Sequence, residues 1–276
     1  MKTWLITGSN RGIGLEIARA ALEAGDEVIA ASRKPDHVKS SLRSYGERLH
    51  AIGLDVTSSS VEGALVEELA RFDRVDVLVN NAGYGQLGAF EEITPHSVAQ
   101  QFATNVFGVF AVTRAVLPLM RAARNGHIIT ISSIAGIEGF PGSSIYCATK
   151  HAVSGWSEAL SNELAPLGIN VTCVYPGRFR TDFLDASSVR HGDITLADYS
   201  TASLLRREAL DNDNHRQLGD PIKLAAAIVE IVESQHPPIR FAAGSDAYAC
   251  FLRVADRISI SAEATKELSL GTDFSI

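Results

Sequence analysis

Short apolar runs alternate with helix-length segments along most of the 276-residue chain. That rhythm constrains the fold more than any single residue does. Trp4, Leu5, Ile6 and Thr7 make a strand-like run that stops at Gly8. Residues 12–24 then carry Ile13, Ile17, Ala20, Ala21 and Ala24 at helical spacing, and Gly25 follows as a helix stop. Further strands are expected at 28–31, 49–54, 75–79, 127–131, 170–175 and 239–241. Further helices are expected at 58–71, from 95 to about 120 as one long helix or two stacked ones, and at 144–164. Hydrophobic, β-branched strands of this kind are buried on both faces. The pattern implies an α/β fold, a doubly wound parallel sheet of about seven strands with helices on each side. Ligands of such sheets bind beyond the carboxyl ends of the strands.

No linker, repeat or low-complexity tract divides residues 1–276, so one domain is expected. Residues 182–220 break the rhythm. They are polar, carry little periodicity and include Asp211-Asn212-Asp213-Asn214, which reads as a long loop serving as a substrate-binding lid. Residues 244–276 form a C-terminal extension with a helical look.

Composition excludes several classes. The net charge is −7 with no lysine or arginine block, so no nucleic-acid groove is expected. The N-terminal apolar run is too short for a signal segment, and no stretch reads as the roughly 18 apolar residues of a membrane span. Cys147, Cys173 and Cys250 are few and widely spaced, which fits a cytoplasmic protein rather than a disulfide or zinc scaffold. The histidines lack metal-ligand spacing, and no metal is expected; His151 reads as an ordinary helix-surface residue.

Gly8-Ser9-Asn10-Arg11-Gly12-Ile13-Gly14 follows the first strand and opens the first helix. Glycines there permit a tight turn, let backbone N–H groups approach a pyrophosphate and keep the helix close to the sheet. The spacing departs from the common Gly-x-Gly-x-x-Gly. An acid at the end of the second strand would hold the 2′-hydroxyl of NAD. This chain has Ser32 and Arg33 instead, with Arg11 in the glycine turn as a second cation, so the cofactor expected is NADP(H).

Tyr146 and Lys150 stand four residues apart, one helical turn on one face. A tyrosine with its ordinary pKa near 10 exchanges protons poorly at neutral pH. Lowering it by about two units takes roughly 3 kcal/mol. A unit charge at about 4 Å supplies roughly 4 kcal/mol at an effective dielectric of 20. A nearby ammonium is therefore sufficient in size. Ser132 and Ser133 end the fifth strand, at the ligand edge of the sheet, and Asn105 is a polar residue inside a long apolar helix.

Together these residues resemble the short-chain dehydrogenase/reductase family. The resemblance runs from Thr3 to about Thr181. It rests on Thr7-Gly8-x-x-x-Gly12-Ile13-Gly14, Asn80-Asn81-Ala82-Gly83, Asn105, Ser133, Tyr146-x-x-x-Lys150 and Pro176-Gly177-x-x-x-Thr181, in matching order and spacing. It implies a Rossmann-like domain and a set of roles. Tyr146 would be the acid in reduction and the base in oxidation. Ser133 would hydrogen-bond the carbonyl oxygen, Lys150 would lower the Tyr146 pKa and bind the nicotinamide ribose, and Asn105 would hold a water linking Lys150 to solvent. Asp55 and Val56 would touch the adenine, and Asn81, Ala82 and Gly83 would line the cofactor. Thr181 would meet the carboxamide, with Pro176, Gly177 and Phe179 along the nicotinamide.

The implied function is an NADP(H)-dependent carbonyl reductase on a small hydrophobic ketone or aldehyde. The alternatives are an oxidising alcohol, hydroxysteroid or retinol-type dehydrogenase and a cofactor-binding regulator without catalysis. The overall look is closest to the retinol- and hydroxysteroid-dehydrogenase-like branch. Phe140, Phe179, Phe183 and Leu184 point to an apolar substrate pocket without paired cations, Arg178 and Arg180 being the exceptions to watch. Cys147 reads as inert packing. The resemblance also implies a homo-oligomer, dimer or tetramer, built on the long helices that begin near Pro95 and Ser144.

Overall fold

A computed structural model of the chain describes residues 1–185 and 188–274. Seven parallel strands form the central sheet: β1 (Thr3–Thr7), β2 (Glu27–Ser32), β3 (Leu49–Gly53), β4 (Val77–Asn80), β6 (Gly126–Ile131), β7 (Ile169–Pro176) and β9 (Arg240–Ala243). A short parallel pair, β5 (Gly85–Gln86) and β8 (Val189–Arg190), lies apart from it. The spatial order is β3-β2-β1-β4-β6-β7-β9. The chain therefore builds outward from β1 in one direction and from β4 in the other, leaving a crevice between the ends of β1 and β4.

Side-chain alternation within each strand supplies both faces. Trp4 and Ile6 point to one core with Ile17 and Leu22 of α1 (Gly12–Glu23) and Leu224 and Ile228 of α8 (Pro221–Glu233). Leu5 points the other way, into a core with Leu65 of α3 (Val61–Leu69), Val112 and Val116 of α5 (Gly108–Ala123), and Leu160 and Leu164 of α6 (Ser144–Leu164). Both faces are buried, which is why the strands lack polar alternation. The first helix ends near the expected stop, with Gly25 at φ 91°.

The long helix expected from residue 95 is two helices joined by a widened turn. α4 (Pro95–Phe102) runs into a π-helical segment, Ala103–Phe107, and then α5. The run Pro95–Ala123 contains an 18-residue window of mean hydropathy 1.5, enough by length and composition for a membrane span. This departs from the reading that no stretch reaches that mark. In the fold the run packs against α3, α6 and β4.

The segment 182–220 also differs from expectation. It is not a loop throughout, since α7 (Ala197–Asp213) occupies much of it. None of the residues of α7 is buried. Polar contacts fasten it instead: Ser203 Oγ donates to Glu92 Oε2 at 2.7 Å, and the Leu196 N–H to Glu92 Oε1 at 3.3 Å. A helix without an apolar stripe leaves no periodicity to read. Residues 186 and 187 of that segment, and 275 and 276 of the C-terminal extension, lie outside the described residues.

The extension is helical, as α9 (Ser245–Ala264) and α10 (Lys266–Leu270). Its first half is anchored. Glu138 accepts from Arg253 at 2.6 Å and Arg257 at 2.9 Å, and Phe251 packs edge-on against Tyr175. From Ala255 to Phe274 every described residue is exposed.

Candidate active site

The carboxyl ends of β1 and β4 are stitched together by side chains. Thr7 Oγ1 accepts from the backbone N–H groups of Asn81 at 3.0 Å and Ala82 at 3.1 Å. Asn81 Nδ2 donates back to the carbonyls of Thr7 at 2.9 Å and Gly8 at 3.1 Å. The crossing is too close for side chains. A Cβ at Gly8, where φ is 67°, would sit 2.9 Å from Ala82 Cα, and one at Gly14 would sit 2.3 Å from Asn81 Nδ2. The glycines thus let the turn pass over the sheet and start α1 against it, with the free N–H groups of the first helical turn facing the crevice.

A cleft of about 760 Å³ opens from this point and runs along the sheet edge. It is lined by Gly8, Asn10, Arg11, Gly12 and Ile13, by Ser32 and Arg33 after β2, and by Asp55 and Val56 after β3. Asn81, Ala82, Gly83, Ser133, Tyr146, Lys150, Pro176, Gly177, Phe179 and Thr181 complete the expected set. Of the expected catalytic and cofactor-binding residues, three lie outside the lining. Ser9 is fully buried, and both its N–H and its hydroxyl donate to the Ala31 carbonyl. Gly14 lies under Asn81 and serves the crossing. Asn105 is treated below.

At the end of the cleft that follows β2 and β3, the strand β2 finishes without an acid. Ser32 Oγ accepts from the Lys34 N–H at 3.2 Å, and Arg33 is exposed. Asp55 is held by the Thr57 N–H at 3.0 Å and hydroxyl at 2.7 Å. Those two donors, with the Arg33 charge adding, keep its carboxyl below the ordinary range. His37 also reaches this corner, its Nδ1 2.9 Å from the Asn10 carbonyl, and nothing in the sequence pattern marked it.

At the other end β6 and α6 bring Ser133, Tyr146 and Lys150 together. The two adjacent serines separate cleanly. Ser132 Oγ is 2.9 Å from Ser154 Oγ and 3.2 Å from the Lys150 carbonyl it donates to, inside the protein. Ser133 faces the Tyr146 phenol. Burial pushes that phenol above its ordinary pKa, and the Ser133 hydroxyl opposes the shift. Lys150 is buried, and its Nζ donates to the Ile131 carbonyl at 2.8 Å and lies 5.8 Å from the Tyr146 ring centre. Desolvation brings its pKa down to about 8. Burial sets the direction of the Tyr146 shift, and the Lys150 charge does not contribute to it in this structure.

Asn105 sits in the π-helical segment and is 2% exposed. Its Nδ2 donates to the Tyr84 carbonyl at 3.0 Å and to Thr149 Oγ1 at 3.2 Å, while its Oδ1 accepts from the Tyr84 N–H at 3.1 Å. The side chain ties the loop after β4 to α6, one residue from Lys150, rather than facing the cleft. His151 is exposed with Nδ1 2.9 Å from the Cys147 carbonyl, an ordinary helix contact. Cys147 is buried.

The walls around the phenol are part apolar. Phe183 lies with its ring centre 5.9 Å from that of Tyr146, and Phe140 and Leu184 line the same region. Three arginines also line the cleft, Arg178, Arg190 and Arg206. Arg190 and Arg206 were missed, because their segment carries no motif and only the fold brings it over the sheet edge. Arg180, the other exception to watch, points out, its Nε donating to the Gln217 carbonyl at 3.2 Å.

The residues present suit a dinucleotide: a cradle that a Cβ would obstruct, a helix N-terminus, and polar groups spaced along the sheet edge. Residues 2–191 match the family described as short chain dehydrogenase. The 3-ketodihydrosphingosine reductase of Bacteroides thetaiotaomicron is 41% identical over 241 residues, covering 87% of each chain. A short-chain dehydrogenase from Streptomyces avermitilis superposes with a TM-score of 0.91 at 38% identity, over 99% of this chain and 100% of that one. The ElxO structure with NADP bound is similar at a TM-score of 0.71 and 29% identity, over 87% of this chain and 94% of that one. Sequence, fold and site geometry agree, and the chain belongs to the short-chain dehydrogenase family.

Proposed function

We propose that the chain is an NADP(H)-dependent carbonyl reductase acting on hydrophobic ketones or aldehydes. One observation carries the reading: a phenol kept protonated by burial faces Ser133 at one end of a cleft whose other end is a glycine cradle with cationic neighbours. Ser32, Arg33 and Arg11 suit the 2′-phosphate of NADP, where an acid would repel it. The similarity to ElxO, solved with NADP bound, points the same way. NADPH, when bound, supplies a hydride to the substrate carbonyl carbon.

The chain's own residues handle the oxygen. The Ser133 hydroxyl donates to it and steadies the negative charge that develops there. The Tyr146 O–H donates a proton to the same oxygen, completing the alcohol. A phenol held in its protonated form over the neutral range is an acid ready for reduction. Lys150, beside the Tyr146 ring, provides positive charge that favours the phenolate left behind. Asn105 positions α6 through Thr149. Phe140, Phe183 and Leu184 receive the apolar part of the substrate. Residues 182–220 act as the lid. A homo-oligomer formed through the α4–α5 and α6 surfaces, where Phe107 is exposed and Phe110 packs at a tilt against Trp156, and a cytoplasmic location belong to the same proposal.

Tyr146→Phe tests it. The variant should lose about 10²- to 10⁴-fold in turnover, the usual contribution of a positioned acid, while NADPH binding stays within about two-fold. Steady-state rates and fluorescence titration of NADPH read the two effects. Turnover that survives the substitution would remove Tyr146 from the chemistry.

A further inference from the structure

The reductase reading leaves one side chain on the cleft wall unused. Arg206, on the inward side of α7, is half-buried, and its Nη2 donates to Ser143 Oγ at 2.6 Å. Ser143 is 4% exposed and is the residue just before α6, three positions ahead of Tyr146. The arginine stem runs close over Gly142, whose φ is 63°, and a Cβ there would come within 2.8 Å of Arg206 Cδ. The chain has cleared a place for this side chain next to the reacting groups.

Arg206 is matched poorly by the protein itself. Its Nε is enclosed and has no hydrogen-bond partner, and no carboxylate forms an ion pair with it among the described residues. The neighbouring charges are otherwise engaged. Arg178 pairs with Asp213 at 3.2 Å, and Arg190 donates to Gln100 at 2.9 Å and stacks over Tyr84. Asp182 lies in a cluster with Asp185 and His215, where Asp185 is 3.2 Å from His215. Gln217, 4% exposed on the same wall, has an Oε1 with no partner. Desolvation acts most strongly against the Arg206 cation and the nearby Arg178 charge adds to it, while Cys147 opposes them. A guanidinium on a cleft wall, with an unmatched donor and no counter-charge, suits an anion.

The phosphate-binding end of the cleft does not supply that anion, because it has its own cations at Arg11 and Arg33. We propose that Arg206 receives a carboxylate on the substrate, so that the preferred substrates are oxo acids with an apolar body between the carbonyl and the acid group. This rests on the reductase reading and sharpens it. It adds a third arginine to Arg178 and Arg180, the exceptions noted in a pocket expected to lack paired cations. Arg206 joins α7 to the entrance of α6, so substrate charge would draw the lid onto the catalytic helix.

The test is binding to the NADP⁺ complex, measured by calorimetry, of oxo acids against their methyl esters. 4-Oxo-4-phenylbutanoate and homologues with longer spacers are the probes. The wild-type complex should bind the best acid about ten-fold or more tightly than its ester, the range of a charge-assisted hydrogen bond. Arg206→Met should bring the pair to within about two-fold, and Arg206→Lys should retain part of the difference. Equal binding of acid and ester across the series, or a preference unchanged in Arg206→Met, would overturn the proposal. Rates with NADPH separate the two claims. Acid preference in binding with no reduction of either ligand keeps the anion site and sinks the reductase reading. Equal binding with reduction of both does the reverse.

Discussion

Burial acts on Tyr146 and Lys150 in opposite directions, and in both it favours the neutral form. The tyrosine keeps its proton, and the lysine releases its own more readily, at about pH 8 rather than the ordinary 10.5. The lysine shift has a consequence for stability. Above about pH 8 Lys150 is neutral in the fold, while in the unfolded chain it still binds a proton up to about 10.5, so the unfolded state binds more protons and stability from this group rises with pH. Chemical denaturation of cofactor-free protein between pH 8 and 10 should therefore show a smaller upward contribution in Lys150→Met than in the wild type. Identical profiles would mean the lysine keeps its charge. Arg33 makes a separate prediction. Arg33→Asp should turn cofactor preference toward NAD by at least about ten-fold in the ratio of kcat/KM values, because an acid at a β2 end repels a 2′-phosphate. An unchanged ratio would mean another group reads that phosphate.

At the level of elements, the sequence was most legible where burial imposes a period. The seven sheet strands fall close to where apolar runs stand, and α6 spans the 144–164 expected of it. Tyr146 and Lys150 were legible because a helix fixes their spacing, and Ser133 because it follows a strand. Elements held by polar contacts were not. α7 has no buried residue, so its sequence looks like a loop, and Arg206 on it could not be placed over Ser143. The π-helical turn at Asn105 was hidden for a different reason: an extra residue shifts the apolar face, and a helix apolar over much of its surface shows no such shift. Hydrogen exchange should show the α7 amides exchanging faster than those of α6, and slowing when NADPH and an oxo acid are both bound. Equal rates with and without ligand would defeat the lid.

Glu138 belongs to the same scale, because it fastens α9 to the segment after β6. Arg253 first, with Cys250 and Arg257 behind it, brings its carboxyl down to about 2. The sign follows from linkage: the contribution is complete above the ordinary value of 4.5 and is lost as pH falls toward 2. Both arginines are more than half exposed, so solvent screening reduces the effect. Glu138→Gln should flatten the fall of Tm on that acid limb and loosen α9, with little change at the sheet. A variant with the wild-type acid limb would show that the two arginines do not hold the helix.

For the whole molecule, two half-sheets meet at β1 and β4, and the cleft that holds Ser133, Tyr146 and Lys150 opens along the carboxyl ends of the strands. Anything that binds the folded chain alone raises its stability by mass action. The exposed Phe107, at the end of the π-helical segment, and the tilted Phe110–Trp156 pair lie on the surfaces proposed for a subunit interface. Light scattering should find a dimer or tetramer, and Phe107→Asp should shift it toward monomer. A monomeric wild type would contradict that assignment. The central claim is hydride transfer from NADPH to a carbonyl across this one cleft. Its most direct measurement is the balance of NADPH consumed against alcohol formed, over a panel of aryl and alkyl ketones, aldehydes and oxo acids. The predicted result is one alcohol for each NADPH oxidised, with NADPH favoured over NADH. Tight binding of NADPH with no carbonyl in the panel reduced would contradict it and make the protein a cofactor-binding regulator instead.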